Sequence, residues 1–291
     1  MLTIFAIPKA FEGKFKLIQL NALRSWLQLN NKIEIILLGN EKGIDSVVKE
    51  YKLGHIPLIK KNNLNTPLLN DCFSKVRKKA HFNLLCYVNA DIILLSDFLR
   101  TIKKIKLPQF LLTGRRYCIE IAKEISFQKY WEKELKKDLK KRGYLDKPGA
   151  LDYFVFTKRV NLDMLPFAVG RTAWDNWIVY KTRLLNIPVI DASKVIWAIH
   201  QKHDYSHAGG YDKIWHGKER DYNWKLVGDR RKFFNIQDAN YLVDKKGVVK
   251  IPLSRERIIR SIEKFPVLHS RIGFLAEPLI FLIRIFKYLL R

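Results

Sequence analysis

The strongest constraint on this sequence is the regular alternation of short apolar runs with helical periodicity. Residues 2–7 and 33–38 are apolar runs of strand length, closed by Pro8-Lys9 and Gly39-Asn40. Between them, residues 15–29 carry Phe15, Leu17, Ile18, Leu20, Leu23, Trp26 and Leu27 close to helical spacing. Residues 43–52 predict a short helix and 56–59 a short strand. Thr66-Pro67 then opens a helix running to about His81, with Thr66 as N-cap and Pro67 in the first turn. The next apolar run, Leu84 to Leu94, is broken only by Asn89-Ala90-Asp91. Parallel strands need crossovers, and crossover helices must bury an apolar stripe. The order β-α-β-α-β-α-β therefore predicts an α/β chain in three layers, α/β/α, around a mostly parallel central sheet.

The pattern continues with a helix over 96–105 and a strand over 110–114 that ends at Arg115-Arg116. Residues 122–142, dense in Lys and Glu with Phe127, Tyr130, Trp131 and Leu135 interleaved, predict an exposed amphipathic helix. A strand over 151–157, a helix over 174–185 and a strand over 188–198 follow. Beyond residue 200 the chain reads as loop-rich, with His200, His203, His207, Gly209, Gly210 and Gly217. There is no internal repeat.

Two polar side chains at the end of an apolar strand, Asn89 and Asp91, sit where open α/β sheets bind ligands. An Asp there can hold a divalent cation, and the cation can hold a diphosphate. The competing reading makes Asn89 a turn residue and Asp91 a cap.

Composition narrows the classes. With 48% hydrophobic residues the chain can build a core, which excludes global disorder. Its 54 Lys and Arg against 28 Asp and Glu leave a net charge of +26, which favours anionic partners. Cys72, Cys86 and Cys118 form no CxxC, so neither a disulfide framework nor a zinc knuckle is expected, and a reducing compartment fits. The apolar start, Met1 to Pro8, has no basic stretch before it and reads as a core strand. No apolar run is long enough to span a bilayer.

The stretch Thr66-Pro67-Leu68-Leu69-Asn70-Asp71, then a basic helix, then Leu84 to Leu94, resembles the donor half of GT-A glycosyltransferases; the likeness extends over about residues 1–205. The resemblance implies the GT-A fold, a UDP- or GDP-linked sugar as donor and a divalent cation, Mn²⁺ or Mg²⁺. The sequence departs from the family at one point: the first Asp of its Asp-x-Asp motif is Asn89 here. The last Asp ligates the metal in the family, a role Asp91 keeps. The first position touches the ribose or a metal-bound water, which an Asn amide can also do; the departure bears on metal dependence. The resemblance places Ile7, Pro8 and Lys9 against the nucleotide, with Asn70, Asn89, Ala90 and Asp91 on the donor. Arg115 and Arg116 reach the diphosphate or the acceptor, or are simply an exposed basic pair.

In inverting members an acidic residue at the start of a helix, beside Trp and Gly, is the catalytic base. Gly170-Arg171-Thr172-Ala173-Trp174-Asp175-Asn176-Trp177 has this form and nominates Asp175. The chemistry requires such a group, because a hydroxyl is a poor nucleophile until a carboxylate takes its proton. Asp175 also reads as a cap of its helix, and the two roles are compatible. Trp174 and Asn176, with Asp152 and Tyr153 at the start of the 151–157 strand, would line the acceptor side. A late His completes the metal shell in several families, which nominates His200, with His203 and His207 in reserve. Imidazole suits Mn²⁺ better than Mg²⁺. A zinc site lacks the supporting Cys or HExxH spacing.

The tail differs in character. From Gly273 onward it is apolar except at Glu277, Arg284, Lys287 and Arg291, which share one helical face. Residues 250–291 hold nine Lys and Arg against three Asp and Glu, a local net of +6. Such a helix can lie in a headgroup layer, or dock on the core or on a second copy. The expected organisation is a GT-A domain over 1–250, with a donor half over about 1–116 and an acceptor half over about 117–250. A basic amphipathic tail over 251–291 follows. The expected function is inverting transfer of a sugar to a glycan or lipid-linked acceptor in surface polysaccharide synthesis. The expected place is the cytoplasm, attached peripherally to the anionic inner face of the cell membrane.

Two other classes compete with this reading. A nucleic-acid-binding protein would suit the charge, but the chain has no matching motif and most aromatics lie in apolar strands and helices, so no nucleic-acid partner is expected. A sugar nucleotidyltransferase would carry a Gly-rich loop after the first strand, which Ile7 to Gly13 lacks.

Overall fold

The computed structural model describes residues 1–30, 32–203 and 216–289, with side chains up to residue 285. The N-terminal elements are β1 (Leu2–Ala6), α1 (Gly13–Leu27), β2 (Ile33–Leu38), α2 (Ile44–Tyr51), β3 (Gly54–Ile56), α3 (Leu69–Lys79) and β4 (Leu84–Val88). Next come β5 (Ile92–Ile93), α4 (Ser96–Ile102), β6 (Leu111–Thr113), β7 (Arg116–Ile119), α5 (Trp131–Arg142), β8 (Tyr144–Leu145) and β9 (Tyr153–Thr157). The remainder is α6 (Trp174–Leu184), β10 (Val189–Asp191), β11 (Ala198–Gln201), α7 (Lys218–Val227), β12 (Tyr241–Val243), β13 (Val248–Lys250), α8 (Arg255–Leu268) and α9 (Glu277–Leu289).

Among the described residues the main sheet has nine strands in the order β13-β12-β10-β6-β9-β4-β1-β2-β3. Its pairs are parallel except where β9 runs against β4 and β6, and β13 against β12. The period-two alternation sorts side chains onto the two faces. Leu2, Ile4, Ala6, Cys86, Val88, Tyr153 and Val155 pack with α1, α2 and α4. Phe5, Leu85, Tyr87, Phe154 and Phe156 pack with α3 and α6. Each large apolar side chain so buried contributes about 1.5–3 kcal/mol. The result is the expected three-layer α/β/α chain.

A second, four-stranded sheet, β5-β11-β7-β8, stands beside the end of β4 and packs on α5 through Leu135 and Leu139. Trp26, fully buried on α1, donates from Nε1 to the Ile92 carbonyl at 2.8 Å and pins the chain just beyond Asp91.

Several elements differ from the sequence reading, each for a tertiary reason. The helix expected from Thr66 begins at Leu69 with Leu68 as N-cap. Thr66 closes a local turn with Asn62, and the Pro67 carbonyl accepts from Val169 N–H, so both lie outside the helix. The helix expected over 122–142 begins only at Trp131. Asn21 holds the Lys123 carbonyl and the Ile125 N–H in a non-helical path, and Tyr130 is left-handed at φ 73°. The strand expected over 188–198 is two strands in two sheets, separated by a turn in which Asp191 accepts from Ser193 N–H. The strand expected over 56–59 is Gly54–Ile56. The region read as loop-rich carries α7.

Candidate active site

β9 runs opposite to β4, so its first residues lie beside the last residues of β4: Val88 faces Tyr153, and Asn89 N–H donates to the Asp152 carbonyl at 2.9 Å. The small sheet adds the rest. β11 sets His200 opposite Ile92 in β5 and opposite Cys118 in β7. Asp91, Asp152, Arg116 and His200, distant in sequence, therefore meet at the carboxyl end of β4.

Asp91 and two histidines form the centre. The Asp91 Oδ2 lies 3.3 Å from His200 Nε2 and 3.0 Å from His203 Nε2. Burial works against the Asp91 charge, but the two imidazoles outweigh it and hold the carboxyl well below the usual carboxylate range. Its other oxygen, Oδ1, is buried and has no hydrogen-bond partner. An ionised carboxylate oxygen without a donor is costly in a protein interior, and a cation would satisfy it. One ligand atom from each of Asp91, His200 and His203 lies within 4.8 Å of the others, so these three could hold a metal ion. The mixed carboxylate and imidazole set suits Mn²⁺. The backbone here is held firmly, since Gln201 Nε2 donates to the carbonyls of Asp91 (3.1 Å) and Ile18 (2.8 Å).

Lys9, in the loop after β1, is linked to this centre through Phe15. Its ammonium lies 4.4 Å from the Phe15 ring centroid, and that ring meets His203 edge-on at 5.3 Å. Gln19 grips the Lys9 backbone at both N–H and carbonyl. Ile7 packs on the core beside this loop, and Pro8 is buried.

A chain of polar contacts leads away from Asn89. Tyr87 Oη donates to Asn89 Oδ1 (2.9 Å), and Asn89 Nδ2 donates to Asp152 Oδ1 (2.8 Å). Arg116 donates to Asp152 Oδ2 (2.6 Å) and to Asp146 Oδ2 (2.9 Å). Burial opposes the Arg116 charge, but Asp152 and Asp146 more than compensate and raise its pKa further. Cys118 Sγ, 3.3 Å from Asp146 Oδ2 and 3.9 Å from His200 Nδ1, returns the chain to the metal-ligand candidates.

Asp175 stands on the same face of the sheet, in the first turn of α6. Its Oδ1 accepts from Asn176 N–H at 3.0 Å, but the N-cap position of α6 is Ala173 and no side chain caps the helix. Burial raises its carboxyl to about 7; that backbone N–H opposes the rise and Asp152 adds to it. Tyr87 is likewise pushed well above the usual phenol range, by burial first and then by acidic neighbours that include Asp152, Asp91 and Asp175. The residue before α6, Ala173, is left-handed at φ 88°. Such strain costs on the order of 1–3 kcal/mol and persists only where the surroundings enforce it. α7 enforces it here. The fully buried Asn223 accepts from Ala168 N–H (2.9 Å) and donates to the Ala168 and Thr172 carbonyls (3.1 and 3.3 Å). One turn away, Glu219 accepts from Arg171 (2.6 Å) and Asn62 (2.7 Å).

Other expected site residues fall elsewhere. Tyr153 is fully buried, with its ring on Phe98, because alternation along β9 turns it to the face opposite Asp152. Asn176 is buried and spends its amide on the Phe234 carbonyl at 2.6 Å. Trp174 is 4% exposed and packs edge-on against Tyr87. All three side chains thus sit in the core or against it. Arg115 turns its Nε to the Asp146 carbonyl at 2.6 Å, and Arg116 is spent on carboxylates, so the pair is not simply exposed. Asn70 lines a cavity of about 340 Å³ with Phe73, Arg77, Phe156, Leu162 and Met164, and its Oδ1 is buried without a partner. Ala90 packs its methyl on the core between the two polar residues. His207 lies outside the described residues. His203 was only a reserve in the sequence, because nothing in its spacing distinguishes it from a loop residue. Asp146 and Glu219 carried no sequence signal.

No protein-family model matches this sequence, and a search of curated proteins gave no match either. Solved structures give distant likenesses. The chain is similar to TarS 1-349 of S. aureus in complex with UDP-GlcNAc: 13% identity, TM-score 0.45, covering 70% of this chain and 59% of that one. It is similar to the mannosyltransferase PcManGT of Pyrobaculum calidifontis in complex with GDP-Man and Mn²⁺: 11% identity, TM-score 0.45, covering 72% and 59%. It is also similar to glucosyl-3-phosphoglycerate synthase of Mycobacterium tuberculosis in complex with Mn²⁺, UDP and phosphoglyceric acid: 10% identity, TM-score 0.46, covering 87% of each. The chain thus spans less than two thirds of the first two proteins. At such scores and identities, no substrate or residue role passes from them to this chain.

Proposed function

We propose that this protein transfers a sugar from a UDP- or GDP-linked donor to a hydroxyl of a glycan or lipid-linked acceptor, with inversion at the anomeric carbon. The observation that supports this most is the Asp91–His200–His203 cluster at the carboxyl end of β4, with one carboxylate oxygen buried and unpaired. A divalent cation held by these three residues, Mn²⁺ or Mg²⁺, would supply positive charge to the leaving diphosphate. Lys9, stacked on Phe15 next to His203, adds a protein cation on that side. Asp175 is the general base. A carboxyl poised at about 7 can take the acceptor proton near neutral pH while the hydroxyl oxygen bonds to the anomeric carbon. It comes from a different segment than Asp91, as attack from the side opposite the diphosphate requires. Asp152, Asn89 and Arg116 hold the mouth of the sheet between the two. Residues 1–116 then serve the donor, 117–250 the acceptor, and 251–291 the inner face of the cell membrane, in surface polysaccharide synthesis.

The test is a donor screen with Mn²⁺ and a panel of nucleotide sugars, following release of nucleoside diphosphate. Asp91→Ala and Asp175→Ala should both lose at least about 100-fold in turnover. Only Asp91→Ala should also abolish the rise in melting temperature caused by Mn²⁺. Normal turnover by Asp175→Ala would remove the base assignment. An unchanged Mn²⁺ response in Asp91→Ala would remove the metal assignment.

A further inference from the structure

The C-terminal segment places a fixed apolar face in solvent. Between residues 272 and 285, Ile272, Phe274, Leu275, Leu279, Phe281 and Leu282 are all exposed, Phe274 at 68% and Phe281 at 63%. Ile280 on the same helix is 1% exposed and turns inward. Arg271 and Arg284 flank the exposed face and are themselves exposed. The segment is anchored at several points. Glu277 pairs with Arg231 at 2.5 Å. Lys264 donates to the carbonyls of Arg231 (2.7 Å) and Phe233 (2.9 Å), and Arg260 pairs with Asp238 at 2.6 Å. Tyr180 on α6 donates to the Val267 carbonyl at 3.3 Å, and the Phe234 carbonyl accepts from Asn176, the neighbour of Asp175. The exposed face is therefore tied through residues 229–238 to the start of α6.

We propose that this face docks on an anionic lipid bilayer, with α9 lying in the headgroup plane. Three observations favour a bilayer. Large apolar residues so concentrated mark an interaction surface. The local charge of +6 suits anionic headgroups, whereas two copies of this face meeting across a two-fold axis would set like charges together. At 13 residues α9 is about 20 Å long, short of the roughly 30 Å hydrocarbon core. Among the described residues no helix is long and apolar enough to cross a membrane. This names the surface for the membrane placement proposed above and rests on that placement, not on the transfer chemistry.

The experiment is flotation of the full chain with phosphatidylcholine vesicles, with and without phosphatidylglycerol, in the absence of any donor. The protein should float with the anionic vesicles and be released by high salt. Phe281→Asp/Leu282→Asp should weaken vesicle binding by at least about tenfold, with its circular-dichroism melt confirming that it folds. Arg271→Glu/Arg284→Glu, which leaves the apolar face intact, should also weaken binding and decides the matter if the first variant does not fold. Asp175→Asn should float like the parent whether or not sugar transfer is the right reaction. Equal binding to neutral and anionic vesicles, or no binding to either, would overturn the proposal. So would a wild-type dimer in light scattering that Phe281→Asp/Leu282→Asp converts to monomer, since a second copy would then cover the face.

Discussion

Asp175, the proposed base, works against stability through its buried carboxyl. Its carboxyl, lifted to about 7 by burial, keeps a proton in the folded protein that the unfolded chain, with an ordinary carboxyl near 3.8, has already released. Stability from this group therefore falls as pH rises from about 4 to about 7, and the loss is complete above that range. Asp175→Asn should melt higher than wild type at pH 8, by a margin that shrinks as the pH is lowered towards 4. Wild-type turnover should rise with pH through about 7 as the base loses its proton. Thermal melts across that range and a pH–rate profile check both. Asn89 makes a second case. Its amide donates to one Asp152 oxygen, while Arg116 occupies the other. An Asp at position 89 would set two carboxylates against each other. Asn89→Asp should cost about 1–3 kcal/mol, and adding Asp152→Asn should recover part of that loss by reversing the donor. A double-mutant cycle on melting free energies would show the coupling; strict additivity would contradict it.

At the scale of elements, α7 acts as a strut for the loop that delivers Asp175. Asn223 and Glu219 lie on one face of that helix and hold residues 168–172, immediately before the strained Ala173. Asn223→Ala would leave the Ala168 N–H unpaired in the interior, at a cost of about 1–3 kcal/mol. It should lower kcat more than it raises donor KM, because the proposed base is displaced and the proposed donor side is not. Steady-state kinetics with the donor identified by the screen provide the check; a rise in donor KM alone would place the strut elsewhere. Periodicity alone makes β1, α1, β2, α2, β4 and α6 legible, since each buries one regular stripe or run. The short strands β5, β7 and β8 carry no such signal. They are too brief for a period to register and exist because the small sheet pairs them. The late start of α5 comes from a distant side chain, Asn21, which satisfies backbone groups a longer helix would have used, whereas β10 and β11 are parted by the local turn at Asp191.

For the whole molecule, the charge of +26 sets how partners arrive. A field of that sign would draw in the proposed diphosphate-bearing donor, so kcat/KM for a nucleotide sugar should fall as ionic strength rises, with kcat little changed. A salt series on the initial rate tests this. The sequence by itself determined the layered α/β architecture, the strand that runs into Asn89-Ala90-Asp91, the helix that carries Asp175 in its first turn and the basic apolar tail. All of these are written in local periodicity, which depends only on neighbours along the chain. Only the tertiary structure decided which side chains meet. The reversal of β9 brings Asp152 to Asn89 and turns Tyr153 into the core. The pairing of β11 with β5 brings His200 and then His203 to Asp91. Those contacts join residues from 63 to 112 positions apart. They follow from strand direction and register, and these are set by how the whole sheet closes over its two apolar faces.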